Sequence, residues 1–257
     1  MANYYFLATL LPPLKVGTPP KLGSKELKYL LQQELTTKDL TKIATLRRLT
    51  DIENMRNIWQ GNPLQSGGNY TAKELTERLF SKTGLPDYIV QYLELYDTTE
   101  TRLEHFPELL HAYFKVESKS KDAFLGPYLT FEWQWRLVFV ALRAKDLDRD
   151  IKYELRFEDP QDPFIAEIIS QNEARTFEPP LPYTGLKALF EARKHAPLEL
   201  HQALCEWRFD HIKHQISWQC FSTARILGYI AQLEICERWL ELNKKKGQQL
   251  LEEMIET

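Results

Sequence analysis

The sequence predicts a mainly all-α protein with at most one or two short strands. Glycine accounts for only 10 of the 257 residues, and leucine, glutamate and lysine, which lose little side-chain freedom in a helix, are abundant. Long segments place apolar residues three and four positions apart, which is the period of a helix. Strict alternation of apolar and polar residues, which favours a strand, occurs in one short segment only.

Length, cysteine content and charge restrict the class of protein. A chain of 257 residues forms one large domain or two small ones. Its three cysteines, an odd number with no short paired spacing, do not form a disulfide framework and fit a reducing, intracellular setting. The net charge of −3 gives no general attraction to nucleic acid or to an anionic membrane. We therefore expect a cytoplasmic protein with no nucleic-acid partner.

The apolar segments predict no direct insertion into a membrane. The first segment, MANYYFLATLLPPL, has no basic residue before its apolar run, and Pro12 and Pro13 end the run too early for a secretion signal. No later stretch has the roughly twenty consecutive apolar residues that a membrane-spanning helix needs.

The N-terminal part predicts helices after an extended start. The segment YYFLATL is a possible short strand, and Ser24 is the expected cap of a helix through LKYLLQQEL. A longer helix is expected to begin near Thr36 or Thr37, because an apolar residue recurs at every third position. These residues are Leu40, Ile43, Leu46, Leu49, Ile52, Met55 and Ile58.

Turn and cap residues delimit the next helices. The segment GNPLQSGG ends the long helix, and Thr71 with Glu74 predicts a capping box at the start of the following one. Pro86 opens a helix through YIVQYLELY, and another short helix is expected from Pro107 through YFKV.

Residues 128–145, YLTFEWQWRLVFVALRAK, predict a helix in the interior of a bundle. Apolar side chains surround nearly the whole helix, including Trp135, and only Glu132, Arg136 and Arg143 form a narrow polar line. Such a helix has no broad face suited to solvent.

The segment IKYELRFED after this helix leaves two interpretations open. Its apolar residues alternate strictly with charged ones over 151–157, which favours a strand, but a single strand lacks a pairing partner. A frayed helix end is the alternative. Beyond it we expect one short helix between Phe164 and Phe177, and nearly continuous helix from Leu186 onward.

Histidines and cysteines are concentrated between residues 201 and 220, which raises the question of a metal site. The candidate ligands are His201, Cys205, His211, His214 and Cys220. On one helix these groups spread over most of the circumference, whereas zinc needs four converging ligands. A bend at Phe209–Asp210 would bring part of a site together. We favour a packing segment without metal or cofactor.

The last helix shows no catalytic pattern. Tyr229 lies on its apolar face, and Glu234 with Arg238 has the i,i+4 spacing of an ordinary helix-supporting ion pair. The chain lacks the phosphate-binding and nucleophile motifs GxxxxGK[ST], GxGxxG and GxSxG.

Three predicted helical segments share one residue pattern. LTDIENMRNIWQG, FEWQWRLVFVALRAKDL and ILGYIAQLEICERWLELNKKKG each place an acidic residue early, then large apolar residues on a helical period, then Arg or Lys. This recurrence predicts a single helical domain over 1–257 built of three lobes, 24–100, 101–160 and 161–257.

The phrases FEWQWRLVFVALRAK and GYIAQLEICERWLELNKKKG resemble helices of the C subunit of vacuolar/archaeal-type (V-type) rotary ATPases, called d in the vacuolar enzymes. The start, NYYFLATLLPPL, is similar to a bacterial family of unknown function encoded in V-type ATPase operons of lineages such as chlamydiae and Bacteroidetes. Arg136–Leu137 and Glu237–Arg238 stand where the subunit family has Asn-Leu, and this chain is shorter.

The resemblance implies a non-catalytic rotor subunit in proton or sodium transport. It would couple the central-stalk shaft to the membrane proteolipid ring, peripheral to the cytoplasmic side of the membrane. The resemblance implies no catalytic residues. The residues that we expect to have a structural role in the helices are Glu132, Trp135, Arg136, Arg143, Tyr229, Glu234 and Arg238. The alternatives are a helical adaptor of another assembly and a small metal-dependent helical enzyme using His201, Cys205, His211 or His214.

Overall fold

The protein is all-α, as the sequence predicts. The computed structural model describes the backbone of residues 4–255 and the side chains of residues 4–241. Over this part of the chain it contains helices and connecting segments but no strand.

The first seven helices are α1 (Tyr4–Leu10), α2 (Ser24–Glu34), α3 (Thr37–Gln60), α4 (Ala72–Ser81), α5 (Asp87–Leu95), α6 (Thr99–Glu104) and α7 (Phe106–Glu117). They are followed by α8 (Leu125–Asp146), α9 (Ile151–Glu154), α10 (Pro163–Ser170), α11 (Gly185–Arg193), α12 (Pro197–Gln215) and α13 (Thr223–Ile255).

The described residues form two compact units. Unit 1 is assembled within Met1–Gly84, Asp122–Leu125 and Cys205–Thr257, and unit 2 within Leu85–Lys121 and Gly126–Leu204. Unit 1 therefore contains α1 to α4, α13 and the later part of α12. Unit 2 contains α5 to α7, α9 to α11, nearly all of α8 and the start of α12.

The three lobes expected over 24–100, 101–160 and 161–257 divide the chain differently from these units. Each lobe is one continuous segment, whereas each unit combines segments that are far apart in sequence. Unit 1 combines the N-terminal helices with the last helix because α13 packs against α1, α2 and α3.

Local sequence signals explain where several helices begin and end. Thr36 caps α3 by accepting a hydrogen bond from the Asp39 amide at 3.3 Å, and α3 ends at Gly61, which has the left-handed φ of 70° that glycine tolerates. Thr71 and Glu74 form the predicted capping box of α4: the Thr71 amide donates to the Glu74 carboxylate at 2.8 Å. These ends agree with the sequence analysis.

Two segments considered as strands are helices. The segment YYFLATL forms α1, which buries Leu7 in unit 1. Residues 151–154 form α9, because Asp150 caps it by accepting hydrogen bonds from the Lys152 and Tyr153 amides. Helix α9 buries Ile151 while Tyr153 stays exposed. The alternation in the sequence was therefore a misleading strand signal.

Ser24 was wrongly expected as the cap of α2. It is the first residue of that helix, and Gly23 precedes it as the cap. The Gly23 amide donates to the Glu26 carboxylate at 3.1 Å. The Ser24 side chain and amide are used instead in a contact with α13, described below.

Helix α8 lies in the interior of unit 2, as its apolar circumference predicts. Leu129, Val138 and Ala141 are fully buried, and the Trp135 side chain is only 9% exposed. Phe139 of α8 contacts Phe190 of α11 edge to face, with ring centroids 5.5 Å apart.

We expect Trp135→Ala to lower the free energy of unfolding by about 2–5 kcal/mol, because it removes a large buried side chain from unit 2. Urea unfolding followed by circular dichroism measures this. Trp218→Ala is the matched control, since Trp218 is 91% exposed, and should change stability by less than about 0.5 kcal/mol. Equal effects of the two substitutions would contradict an interior position for α8.

We also expect Gly228→Ala to destabilise the protein by about 1–3 kcal/mol, because unit 1 leaves no room for a methyl group there. A Cβ at Gly228 of α13 would lie 2.5 Å from Ile216 Cγ2 and 3.3 Å from Phe124 Cε2. Gly185→Ala at the start of α11, where nothing lies within 4 Å, is the control. A stable Gly228→Ala protein would show that α13 packs less closely than described.

Candidate functional site

The densest polar cluster of unit 1 joins α3, α13 and the loop between α3 and α4. Arg238 of α13 donates to Glu53 Oε2 of α3 at 2.6 Å and to the side-chain carbonyl of Gln65 in the loop. Asn54 holds the backbone of Gln65 from the other side, accepting from its amide at 2.7 Å and donating to its carbonyl at 3.1 Å. One arginine thus connects two helices and a loop.

Asp51 holds the end of the same loop. Its carboxylate accepts hydrogen bonds from the Asn69 amide at 2.8 Å and the Asn69 side chain at 2.6 Å. The approach requires glycine at position 68, because a Cβ there would lie 2.6 Å from Asp51 Oδ1. Burial raises the pKa of Asp51 to about 6, although the hydrogen bonds from Asn69 act in the opposite direction.

Glu237 connects α13 to α2. It accepts hydrogen bonds from the Ser24 amide, at 2.8 Å, and from the Ser24 hydroxyl. This contact occupies the first turn of α2, whose amides lack partners within the helix. The serine expected as a helix cap therefore serves a tertiary contact.

Glu234 and Arg47 are the least satisfied groups of this cluster. Glu234 Oε1 on α13 and Arg47 Nε on α3 are both closed to solvent, and neither has a hydrogen-bond partner within the described part of the chain. Burial raises the pKa of Glu234 to about 8, while the charges of Arg47 and Arg238 lower it.

The i,i+4 pair predicted from Glu234 and Arg238 is replaced by a long-range one. Arg238 forms its ion pair with Glu53 instead. Tyr229 is buried on the apolar face of α13, as expected, and burial raises the pKa of its hydroxyl to about 12. Tyr229, Glu234 and Arg238 thus lie in unit 1 but do not form a common hydrogen-bonded group.

The other predicted structural residues lie on α8 in unit 2. Glu132 is fully buried and forms an ion pair with Arg136, and the Trp135 Nε1 donates to Glu132 Oε2 at 3.2 Å. The Arg136 guanidinium also lies over the Phe114 ring of α7, 5.6 Å from its centroid. Arg143 is exposed near the end of the helix and belongs to a separate cleft.

The candidate metal ligands do not form a site among the described residues, where no group of three or more His, Cys, Asp or Glu side chains could hold an ion. Helix α12 runs without a break through Phe209 and Asp210, so the considered bend is absent. Cys205 is buried, whereas Cys220 is exposed beyond the helix. His214 contacts the Asp210 carbonyl at 2.7 Å through Nδ1.

His201 and His211 have different surroundings. His201 borders a cleft of unit 2. The His211 ring lies 6.3 Å from the Trp207 ring in unit 1. Helix α12 thus places these two histidines in different units.

The polar face of α3 was not predicted from the sequence. Arg47, Asp51 and Asn54 are all buried and follow the i,i+4,i+7 spacing of one helix face. This spacing was a usable signal, because charged or amide residues beside an apolar stripe need partners when they are buried. The identity of those partners could not be obtained from it.

Glu158 in unit 2 was also missed. It follows α9 and accepts a hydrogen bond from Trp133 Nε1 of α8 at 3.0 Å, and it pairs with His111 Nδ1 of α7 at 2.7 Å. One carboxylate thus ties the segment after α9 to two helices. No motif in the sequence marks this residue.

Unit 1 also exposes aromatic side chains on α1 and on the segment between α12 and α13. Tyr5 and Phe221 contact each other with ring centroids 4.9 Å apart, although both are more than half exposed. Phe6 is also exposed, and Trp218 is almost completely so. We call Tyr5, Phe6, Trp218 and Phe221 the aromatic surface.

In the described part of the chain, no helix has the length and apolar content needed to cross a membrane.

The raised pKa of Glu234 predicts how stability depends on pH. Since the folded protein binds this proton more tightly than the unfolded chain, the contribution of Glu234 to stability falls as pH rises from about 4.5 to 8. Glu234→Gln should remove this dependence and raise the free energy of unfolding by on the order of 2 kcal/mol at pH 8.

Urea unfolding at pH 5, 7 and 8.5 tests this prediction about Glu234. Glu206→Gln, which changes an exposed carboxylate of α12, is the matched control and should be as stable as the native protein to within about 0.5 kcal/mol. A loss of stability in Glu234→Gln at pH 8.5 would instead indicate that the ionised carboxylate stabilises the fold through Arg47 and Arg238.

Comparisons with known proteins place the whole chain in one family. It is 26% identical to an uncharacterized protein of Chlamydia pneumoniae, and 25% identical to one of Chlamydia muridarum and one of Chlamydia trachomatis. Each alignment covers 98% of this chain and 97% of the relative. No solved structure matches the chain significantly. The family model "Protein of unknown function (DUF2764)" matches residues 1–257, and the chain therefore belongs to this family.

Proposed function

We propose that this protein is a non-catalytic subunit of a V-type ATPase. It binds the central-stalk shaft and couples it to the membrane rotor ring, peripheral to the cytoplasmic side of the membrane. The proposal starts from the likeness of FEWQWRLVFVALRAK and GYIAQLEICERWLELNKKKG to helices of the C subunit. The all-helical fold is compatible with this likeness but is common to many other proteins.

The aromatic surface is the observation that carries the proposal in the structure. Trp218 is 91% exposed, Tyr5 65% and Phe221 54%. Aromatic side chains are enriched in the centres of protein interfaces, where they supply most of the binding energy. The exposure of these side chains, of which Tyr5 and Phe221 are in ring contact, therefore supports a binding role for unit 1.

The part-buried polar contacts of unit 1 support a role that needs a rigid part. Glu53, Arg238 and Gln65 link α3 to α13, and Ser24 with Glu237 links α2 to α13. Hydrogen-bonded contacts of this kind fix how helices pack. A rigid binding part is what the transmission of torque between shaft and ring requires.

A helical adaptor of another assembly is the alternative, because the same aromatic surface would serve it. The two roles differ in the partner. Only the rotor subunit binds the isolated shaft of the V-type ATPase from the same cell.

We expect the full chain to bind the purified shaft subunits in the absence of the membrane sector. Replacing both Trp218 and Phe221 by serine should weaken binding at least about tenfold, since it removes two interface anchors. Isothermal titration calorimetry measures the affinity. Raising the salt concentration should weaken binding only modestly, because screening acts mainly on exposed charges.

Phe80→Ser is the matched control for the aromatic surface, since Phe80 of α4 is also 91% exposed in unit 1; it should bind like the native protein. The adaptor role is favoured if the native chain shows no affinity for the shaft and is also absent from the purified ATPase. Equal weakening by Phe80→Ser would count against the aromatic surface as the contact.

A further inference from the structure

Unit 2 contains a half-open cleft between α8, α11 and α12. Its volume is about 330 Å³, which is within the size range of small-molecule sites and leaves room for about ten water-sized groups. The residues on its walls all belong to unit 2. They come from α8 and the residue after it, from α11 and the residue after it, and from the first eight residues of α12.

Most of the cleft wall is apolar. Phe139 and Leu147 contribute from α8 and the residue after it, Phe190 from α11, and Leu200 and Leu204 from α12. Phe190 is held in place by its edge-to-face contact with Phe139. A cleft with such walls favours a ligand that has an apolar body.

The charged side chains of the cleft leave one positive charge without a counter-ion. Lys194 forms ion pairs with Asp146 at 2.8 Å and with Glu191, outside the cleft, at 3.0 Å. Arg143 forms no hydrogen bond or ion pair with any residue that the structure describes. The lining therefore contains the two cations Arg143 and Lys194, the one anion Asp146, which Lys194 already binds, and the imidazole of His201.

The helix ends at the cleft do not cancel the charge of Arg143. Helix α12 begins at Pro197, which lines the cleft, and the positive end of its dipole lies there. The negative ends of α8 and α11 are compensated locally. The carbonyls of Arg143 and Ala144 in α8 accept hydrogen bonds from the Leu147 and Arg149 amides at 3.0 and 2.7 Å, and the Arg193 carbonyl at the end of α11 accepts one from the Ala196 amide at 2.9 Å.

We propose that this cleft is a binding site for a small aliphatic carboxylate. The apolar wall of Phe139, Phe190 and Leu204 takes the aliphatic chain, and the Arg143 guanidinium binds the carboxylate through two parallel N–H donors. The site is independent of the proposed role in the ATPase, because it lies in unit 2 while the aromatic surface lies in unit 1.

Titration calorimetry of the full chain with sodium octanoate, below its micelle-forming concentration, tests the site. We expect saturable binding at one site per chain. Acetate, which lacks the chain, and octanol, which lacks the charge, should each bind at least about tenfold more weakly, because each loses one of the two interactions.

Arg143→Gln should weaken octanoate binding by about tenfold or more, since it removes a charge-assisted hydrogen bond. Leu147→Glu, at an exposed position of the cleft, should also weaken it, because it adds a negative charge beside the carboxylate. Arg175→Gln, which changes another exposed arginine of unit 2, should bind octanoate like the native protein. Circular dichroism confirms that each variant is folded.

Three results would overturn the site. They are the lack of saturable octanoate binding to the native chain, equal affinity for octanol and octanoate, and equal octanoate affinities of Arg143→Gln and Arg175→Gln. A native chain that binds octanoate, but neither binds the shaft nor is present in the purified ATPase, would reject the ATPase role alone, so that the two proposals can fail separately.

Discussion

The ion pair between Glu53 and Arg238 is the contact on which unit 1 depends most. It joins α3 to α13, and because Arg238 also binds Gln65, it fixes the loop that Asn54 holds from the other side. Removing one member of a partly buried charge pair leaves the other without a counter-ion, which costs more than the pair contributes. Glu234 Oε1 nearby already lacks a hydrogen-bond partner among the described residues, and burial raises the pKa of this carboxyl to about 8.

The features that the sequence predicted well are those controlled by neighbouring residues. The capping box of Thr71 with Glu74 needs only a few consecutive residues, and the apolar circumference of α8 follows directly from its composition. The alternation of apolar and charged residues was misleading where a helix cap outside the segment and a tertiary contact decided the structure. The alternation after Asp150 indicated a strand, but the aspartate cap and the burial of Ile151 favour a helical turn.

The candidate sites were less predictable than the fold, because their residues meet through tertiary packing. The pairing of Arg238 with Glu53 instead of Glu234 brings together residues 185 positions apart. Arg143 was identified as part of a polar line on one helix, but the cleft around it depends on Phe190 and Leu204 from two other helices. No spacing along one segment contains this information. The polar spacing on α3, by contrast, could have been recognised.

In the proposed role, the exposed aromatic residues of unit 1 bind another protein, and the part-buried polar contacts between α2, α3 and α13 keep this unit rigid. Photo-crosslinking in the intact V-type ATPase of the same cell tests this account most directly, with a photoreactive amino acid in place of Trp218 and, as a control, in place of Phe80. The account predicts a cross-link from position 218 to a central-stalk shaft subunit and none from position 80. A native assembly in which position 218 cross-links to no ATPase subunit would contradict it.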